Sequence, residues 1–363
     1  MNKRFTTSKK FYQYLQKTIR QTIPENVVPD FELKYKAELA FEINRLSAEK
    51  NAVILKHNYM EPILYHAVNG YKGDSLELSR KAAQTQADII VFCGVHFMAE
   101  TAKILNPSKK VLIPSLKAGC SLADGITPQD VIKLKKSFPG LPVITYVNST
   151  AVTKAESDVC CTSGNALKVV NWALKEFRTK SVIFIPDKYM AKNIAAEKGM
   201  AVYIQEKGIN PNKQIDYKNK PIIIGWDARC YVHEQYTVDH VTAIRKDYPK
   251  AIVLAHPECT PEVVNVANFS GSTSGMFEYV KKYGKNHKIA LLTECSMTDN
   301  ILTMLPEYNN NLIRMCNLRC RFMHMITLEQ LRDALLYDRY QIEVPEKIRN
   351  KADITVRRMI AIN

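Results

Sequence analysis

Cys120, Cys230 and Cys320 each stand seven residues before a threonine that opens a similar helical segment. The segments read Thr127-Pro-Gln-Asp-Val131, Thr237-Val-Asp-His-Val241 and Thr327-Leu-Glu-Gln-Leu331. A single free thiol is usually small buried filler. Three at equivalent places in three repeats constrain the fold, because a three-fold repeat that closes on itself brings equivalent positions together near its axis. Three thiolates at one point make a metal or iron–sulfur site with one coordination position left open.

The repeat extends beyond the cysteines. An apolar, β-rich run ends in a polar cluster three times: Val53 to His57-Asn-Tyr59, Val143 to Tyr146-Val-Asn148, and Ile252 to His256-Pro-Glu258. A small, hydroxyl-rich turn follows in each copy: Gly73-Asp-Ser75, Thr162-Ser163-Gly-Asn165, and Gly271-Ser272-Thr273-Ser274. A helix-like stretch comes next, then a second apolar run leading to a turn with Met98, Met190 or Met297. Copies are offset by roughly 90 and 108 residues, well beyond a solenoid period of about 20–50 residues. Each copy has the length and βαβα alternation of a small α/β unit with a parallel sheet. The fold class expected is α/β: three pseudo-three-fold-related α/β domains, each with a small parallel sheet flanked by helices, around a central cluster.

No Gly/Ser- or Pro-rich tract separates the units, so boundaries follow the repeat. A basic helical extension covers 1–29, read as a solvated leading helix. The first domain takes 30–115 plus the C-terminal 327–363, the second 116–220 and the third 221–326. Met1 to Gln21 lacks the apolar h-region of a secretory signal, and no apolar stretch reaches the roughly 18 residues a membrane helix needs. Nine cysteines scattered through 363 residues form no disulfide framework, so a reduced, cytoplasmic location is expected. The net charge of +15 invites a nucleic-acid reading. The lysines, however, lie singly or in pairs along helix faces, without a helix-turn-helix, zinc-finger or aromatic RNA-binding motif, so no nucleic-acid or membrane partner is expected.

Parallel sheets bind ligands outside the carboxyl ends of their strands. Ser75, Ser163, Ser272 and Thr273 stand where helices would begin, with hydroxyls and free amides suited to phosphate or carboxylate. His57, Tyr59, Tyr146, Asn148, His256 and Glu258 occupy neighbouring strand ends, where they would bind acid groups and move protons. His66, His240 and His287 lack such context. Cys93, Cys160, Cys161, Cys259 and Cys295 read as small buried hydrophobes, with Cys259 the best exception.

The run Gly94-Val-His-Phe-Met-Ala-Glu-Thr-Ala-Lys-Ile-Leu-Asn-Pro107, followed by Ala118-Gly-Cys120-Ser, resembles quinolinate synthase, the A protein of NAD biosynthesis. So do Lys154-Ala155, Thr162-Ser-Gly-Asn-Ala166, Ile185-Pro-Asp187, Cys230-Tyr-Val-His233, His256-Pro-Glu-Cys259, Gly271-Ser-Thr-Ser274 and Cys320-Arg-Phe-Met323. The likeness covers about residues 50 to 335 in order. Asn58 stands where an aromatic is more usual, and Gly164 replaces a serine. The Cys-x-x-Cys pair that some relatives carry before the last ligand is reduced here to Cys316.

The resemblance implies three α/β domains around a [4Fe–4S] cluster held by Cys120, Cys230 and Cys320. It implies condensation of iminoaspartate with dihydroxyacetone phosphate to quinolinate, phosphate and water. Iminoaspartate would come from an aspartate oxidase or dehydrogenase, a functional coupling. The unique iron would act as a Lewis acid in dehydration. Ser75, Ser163, Ser272 and Thr273 would bind phosphate and carboxylates, and His57, Tyr146, Asn148 and His256 would orient the substrates. Tyr59 and Glu258 are the candidates for proton transfer, with Tyr146 beside them; His233 would line the site or support a ligand cysteine, and Met98 is read as packing. Two other families use one cysteine per domain: the diphthamide-biosynthesis proteins and the isoprenoid reductive dehydratase acting on a diphosphate. The His-Pro-Glu-Cys and Gly-Ser-Thr-Ser runs fit neither as well. A basic RNA-associated protein with structural zinc is a more distant alternative.

Overall fold

In the computed structural model, residues 5–211, 214–315 and 318–362 are described; Cys316 lies outside them. Three separate sheets form, every pairing within them parallel. The first runs Tyr71–Gly73, Ala52–His57, Ile89–Cys93, Lys110–Leu112 in spatial order, and the third runs Phe269–Ser270, Ile252–Ala255, Ile289–Leu292, Leu312–Ile313. These are the same order, with each second strand crossing to the edge. Runs such as Ile-Ile-Val-Phe-Cys at 89–93 and Val-Ile-Phe-Ile at 182–185 are buried at every residue. Near-continuous branched and aromatic side chains suit strands covered on both faces by helices.

The second sheet has five strands: Val159–Cys161, Val143–Tyr146, Val182–Ile185, Ile222–Trp226 and Ala201–Gln205. Ile222–Trp226 pairs with Val182–Ile185, so this sheet continues past residue 220, where the sequence-based division closed the second unit. The difference restores the repeat. Lys110–Leu112, Ile222–Trp226 and Leu312–Ile313 are each the last strand before a ligand-candidate cysteine, and Ala201–Gln205 is an added edge.

After each cysteine comes a short 3-10 turn (Ala123–Gly125, His233–Gln235, Met323–Met325) and then a capped helix. Thr127 and Asp130 cap each other reciprocally, as do Thr327 and Gln330, the arrangement that satisfies two orphan amides at once. At the second copy His240 Nδ1 accepts from Thr237 N at 3.1 Å, which gives this histidine a structural task.

Two further parts of the chain differ from the sequence reading. The helix Ser8–Ile19 is not free in solvent: Phe11, Leu15 and Ile19 are buried, the helix packs on Asp30–Glu49, and Arg20 pairs with Asp30 at 2.7 Å. The C-terminal portion is shared between units. Leu328–Tyr337 packs on Asp30–Glu49, and Gln341 bridges Leu112 at the first sheet's edge. Glu346–Ala361, in contrast, lies between the first unit's helices Ser75–Gln84 and His96–Leu105 and the second unit, where Thr355 donates to Lys154 O and Arg358 to Asp158 O at 2.6 Å. No described helix is long and apolar enough to cross a membrane.

Candidate active site

The carboxyl ends of the central strands place His57, Tyr146 and His256 at corresponding positions, with Tyr59, Asn148 and Glu258 two residues further on. All six line one cavity, together with Cys120, Cys230, Cys320, Ser75, Ser163, Thr273 and His233. Every site residue expected from sequence is therefore at this cavity except Ser272. Its hydroxyl instead accepts from Gly275 N at 3.2 Å and caps the helix Thr273–Tyr283. Met98 also lines the wall.

None of the three cysteines is in a disulfide. Burial pushes the Cys120 thiol up to about 12 and moves Cys230 and Cys320 the same way. Backbone amides oppose this shift at each: Ala123 and Leu122 at Cys120, His233 at Cys230, Met323 and Phe322 at Cys320. The turn after each cysteine thus aims N–H groups at sulfur. Three half-buried, soft donors facing one space, each with an amide ready to stabilise a thiolate, fit an iron–sulfur centre, whose positive charge offsets the cost of ionising them. Cys230, His233 and Glu258 also place ligand atoms within 4.8 Å of one another. Cys93, Cys160, Cys161, Cys259 and Cys295 are buried and do not line the cavity.

Glu258 is the electrostatic centre of the protein wall. It is 3% exposed; its Oε1 accepts from Tyr146 OH at 2.6 Å and Asn148 Nδ2 at 3.4 Å. Its Oε2 lies 2.8 Å from His233 Nδ1. Burial alone would raise its carboxyl, but the His233 and His256 rings and the Tyr146 hydroxyl outweigh it and hold the group well below the usual range. His233 Nε2 in turn meets Thr293 Oγ1 at 3.0 Å, and Tyr59 OH reaches the same oxygen at 2.5 Å. A hydrogen-bonded chain therefore runs from Tyr59 through Thr293 and His233 to Glu258 and Tyr146. The two phenols themselves are pushed far up by burial beside the carboxylate, which keeps them as donors.

His57 and His256 each accept a backbone N–H at Nδ1, from Tyr59 at 3.2 Å and Glu258 at 3.4 Å. The proton of each neutral ring is therefore on Nε2. Burial pushes His57 from 6.5 down to about 4, and burial with the neighbouring His233 pushes His256 to about 3. Because these folded values lie below the ordinary one, the unfolded chain binds protons that the native rings refuse. Their contribution to stability is complete above about pH 6.5 and is lost as pH falls from there toward 4 and below. The urea midpoint should accordingly be lower at pH 5 than at pH 7.5, and His57→Gln should shrink that difference.

Lys154, fully buried, donates to Val147 O at 2.9 Å and also to Ser149 O. It thereby pins the loop that presents Asn148. Sequence reasoning missed Thr293, whose side chain joins Tyr59 to His233, and Glu294, which is 1% exposed, lines the cavity and meets His324 Nε2 at 3.2 Å. One signal existed: Glu294 and Asp187 each stand three residues before the methionine of their repeat and accept from amides of the following helix.

Three repeated α/β units that converge on a three-cysteine, carboxylate-bearing cavity define an enzyme with an iron–sulfur centre. The comparisons with known proteins make this particular. Residues 41–361 match the family described as Quinolinate synthetase A protein. A quinolinate synthase of Caulobacter vibrioides is 45% identical over 340 residues, covering 94% of this chain and 86% of the relative. Quinolinate synthase 2 of Mesorhizobium japonicum is 48% identical over 317 residues, 87% of this chain and 89% of the relative. A quinolinate synthase of Agrobacterium fabrum is 47% identical over 320 residues, 88% of this chain and 84% of the relative. The chain belongs to the quinolinate synthetase A family, and its function is quinolinate synthesis in NAD biosynthesis.

Proposed function

We propose that the cavity condenses iminoaspartate with dihydroxyacetone phosphate to give quinolinate, phosphate and water, a transferase reaction. The carrying observation is the convergence of Cys120, Cys230 and Cys320, one from each repeat, on the cavity walled by Glu258. Cys120, Cys230 and Cys320 would hold a [4Fe–4S] cluster, which when bound supplies a Lewis-acidic iron to a substrate oxygen. Everything else falls to the chain. Ser75 and Thr273 sit at the first turns of helices, and Ser163 lies in the turn just before the Asn165 cap of another, where hydroxyls and unpaired amides favour phosphate and carboxylate oxygens. His57 and His256, neutral at pH 7, offer Nε2–H donors that orient the substrates without adding charge.

Glu258, ionised, is positioned to take a proton from a substrate carbon or nitrogen. Tyr146 and Tyr59, joined to it directly and through Thr293 and His233, are positioned to return protons to departing oxygens. The buried wall limits water at the reactive intermediate. Iminoaspartate would be supplied by an aspartate oxidase or dehydrogenase, and the free buried thiols favour a reduced, cytoplasmic setting.

The test is anaerobic purification with iron and sulfide counted per chain, followed by dihydroxyacetone phosphate and freshly generated iminoaspartate. About four irons and four sulfides with quinolinate formed is the result expected for this cluster type. A cluster without quinolinate would overturn the reading in favour of the other three-cysteine families.

A further inference from the structure

The polar groups behind Thr273 are not used by the reaction described above. Asn58 stands between the first and third units, 5% exposed, with Tyr65 (2%) on one side and Thr273 (3%) on the other. Tyr65 OH donates to Asn58 Oδ1 at 2.8 Å, and Asn58 Nδ2 donates to Thr273 Oγ1 at 2.9 Å. The backbone around Asn58 is clamped as well: Asn300 Nδ2 donates to Asn58 O and Met60 O, each at 2.9 Å.

A count of protons fixes the sense of this chain. With the amide reversed, its NH₂ would donate to the Tyr65 oxygen. The buried phenol proton would then lose its acceptor, since the hydrogen bond that Tyr65 OH makes is the one to Asn58 Oδ1, and the cations over its ring, Lys72 and Lys56, accept nothing. Leaving a buried donor unmade is costly. In the orientation present, Tyr65 gives its proton to Oδ1, and Asn58 gives one of its two to Thr273 Oγ1. The Thr273 proton must then point away from Asn58, and Thr273 lines the cavity. No hydrogen bond of this kind reaches the hydroxyl of Ser75 or Ser163 among the described residues, so those groups can turn to donate or accept. Thr273 also heads an eleven-residue helix, whose first amides favour negative charge.

We infer that Asn58 is a positioning residue that turns the Thr273 hydroxyl proton away from itself, as a hydrogen-bond donor to an oxyanion of substrate, phosphate or carboxylate. The inference rests on the reading of this cavity as the substrate site. It gives Asn58 a task in selectivity. An acceptor-only group meets a proton already directed away from Asn58 at Thr273.

The experiment uses the iron-containing enzyme and measures calorimetric binding of inorganic phosphate and, separately, of malonate, with kcat and KM alongside. Thr273→Val should weaken one of the two anions about 10-fold, the worth of a hydrogen bond to a charged group. Asn58→Asp, nearly isosteric but forced to accept from Thr273, should weaken the same anion at least as much. Asn58→Leu should weaken it several-fold in the wild-type background, yet by less than about two-fold once Thr273 is valine, because the two residues act as one. Iron content should change little, and KM should rise in step with the weakened anion. Loss confined to phosphate or to malonate supports the inference and identifies the group held.

Unchanged binding of both anions in Asn58→Asp and Asn58→Leu would overturn it. So would an Asn58→Leu effect that persists in full without the Thr273 hydroxyl, or a loss of iron and kcat together, which marks a merely structural role. Should Asn58→Leu fail to fold, Asn58→Asp with and without Thr273→Val decides the matter. Binding is read without turnover, so failure of the proposed reaction would show separately, as absent quinolinate in the unaltered enzyme.

Discussion

Glu258→Gln should lower kcat about 10³-fold while iron and sulfide per chain stay at their unaltered values and KM moves only a few-fold. The substitution keeps shape and removes two things. It deletes the negative charge that the site is built to hold: the ionised form is favoured by Tyr146 at 2.6 Å and His233 at 2.8 Å despite 3% exposure. It also turns one acceptor edge into a donor, which must face either the Tyr146 hydroxyl or the His233 N–H, so one buried donor pair is left opposed. General base catalysis by a positioned carboxylate is worth about 10²–10⁴-fold, and the opposed pair adds to that loss. Glu258→Asp, which keeps charge and shortens reach, should recover part of the rate. A Glu258→Gln enzyme with near-normal kcat would remove Glu258 from the chemistry and leave it a structural anchor for His233.

Much of this site was legible because a repeat makes weak signals corroborate one another. A histidine after an apolar run says little, but His57, Tyr146 and His256 after three such runs mark three strand ends. Three equivalent cysteines mark one centre. What stayed hidden depends on choices between neighbours that sequence cannot rank. Ser272 and Thr273 are adjacent hydroxyls, and only the backbone path decides that the first caps the helix while the second faces the cavity. Thr293 has no feature of its own; its importance comes from lying 2.5 Å from a phenol and 3.0 Å from an imidazole that belong to other units. The boundary at 220 failed for a different reason. Ile222–Trp226 reads as a strand either way, and its partner across the sheet is a matter of tertiary pairing. The helix Glu346–Ala361 likewise has an apolar face without a label for which unit that face will meet.

Alanine at Cys120, Cys230 or Cys320, one at a time, should abolish the brown chromophore, drop iron and sulfide toward zero and reduce quinolinate formation by at least about 10³-fold. The three substitutions should behave alike. Each cysteine comes from the same place in its unit, follows the last strand of its sheet, and has the amides of a following turn aimed at its sulfur. A centre with three protein ligands and one open position has no spare thiolate to recruit, and the other described cysteines are buried away from the cavity. Cys259→Ala is the matched control and should keep its iron. The fold should survive, because all three thiols are only partly buried and removing one sulfur atom costs on the order of 1 kcal/mol; retained far-ultraviolet circular dichroism checks this. Sulfide is the more telling readout. In Cys120→Ala and Cys320→Ala the Cys230, His233 and Glu258 donors remain within 4.8 Å of one another and are able to retain a lone cation, but a lone cation brings no inorganic sulfide. Full iron and sulfide in Cys230→Ala would show that this thiol is not a ligand. Equivalence of the three repeats, the observation from which the whole site was read, would then fail at its centre.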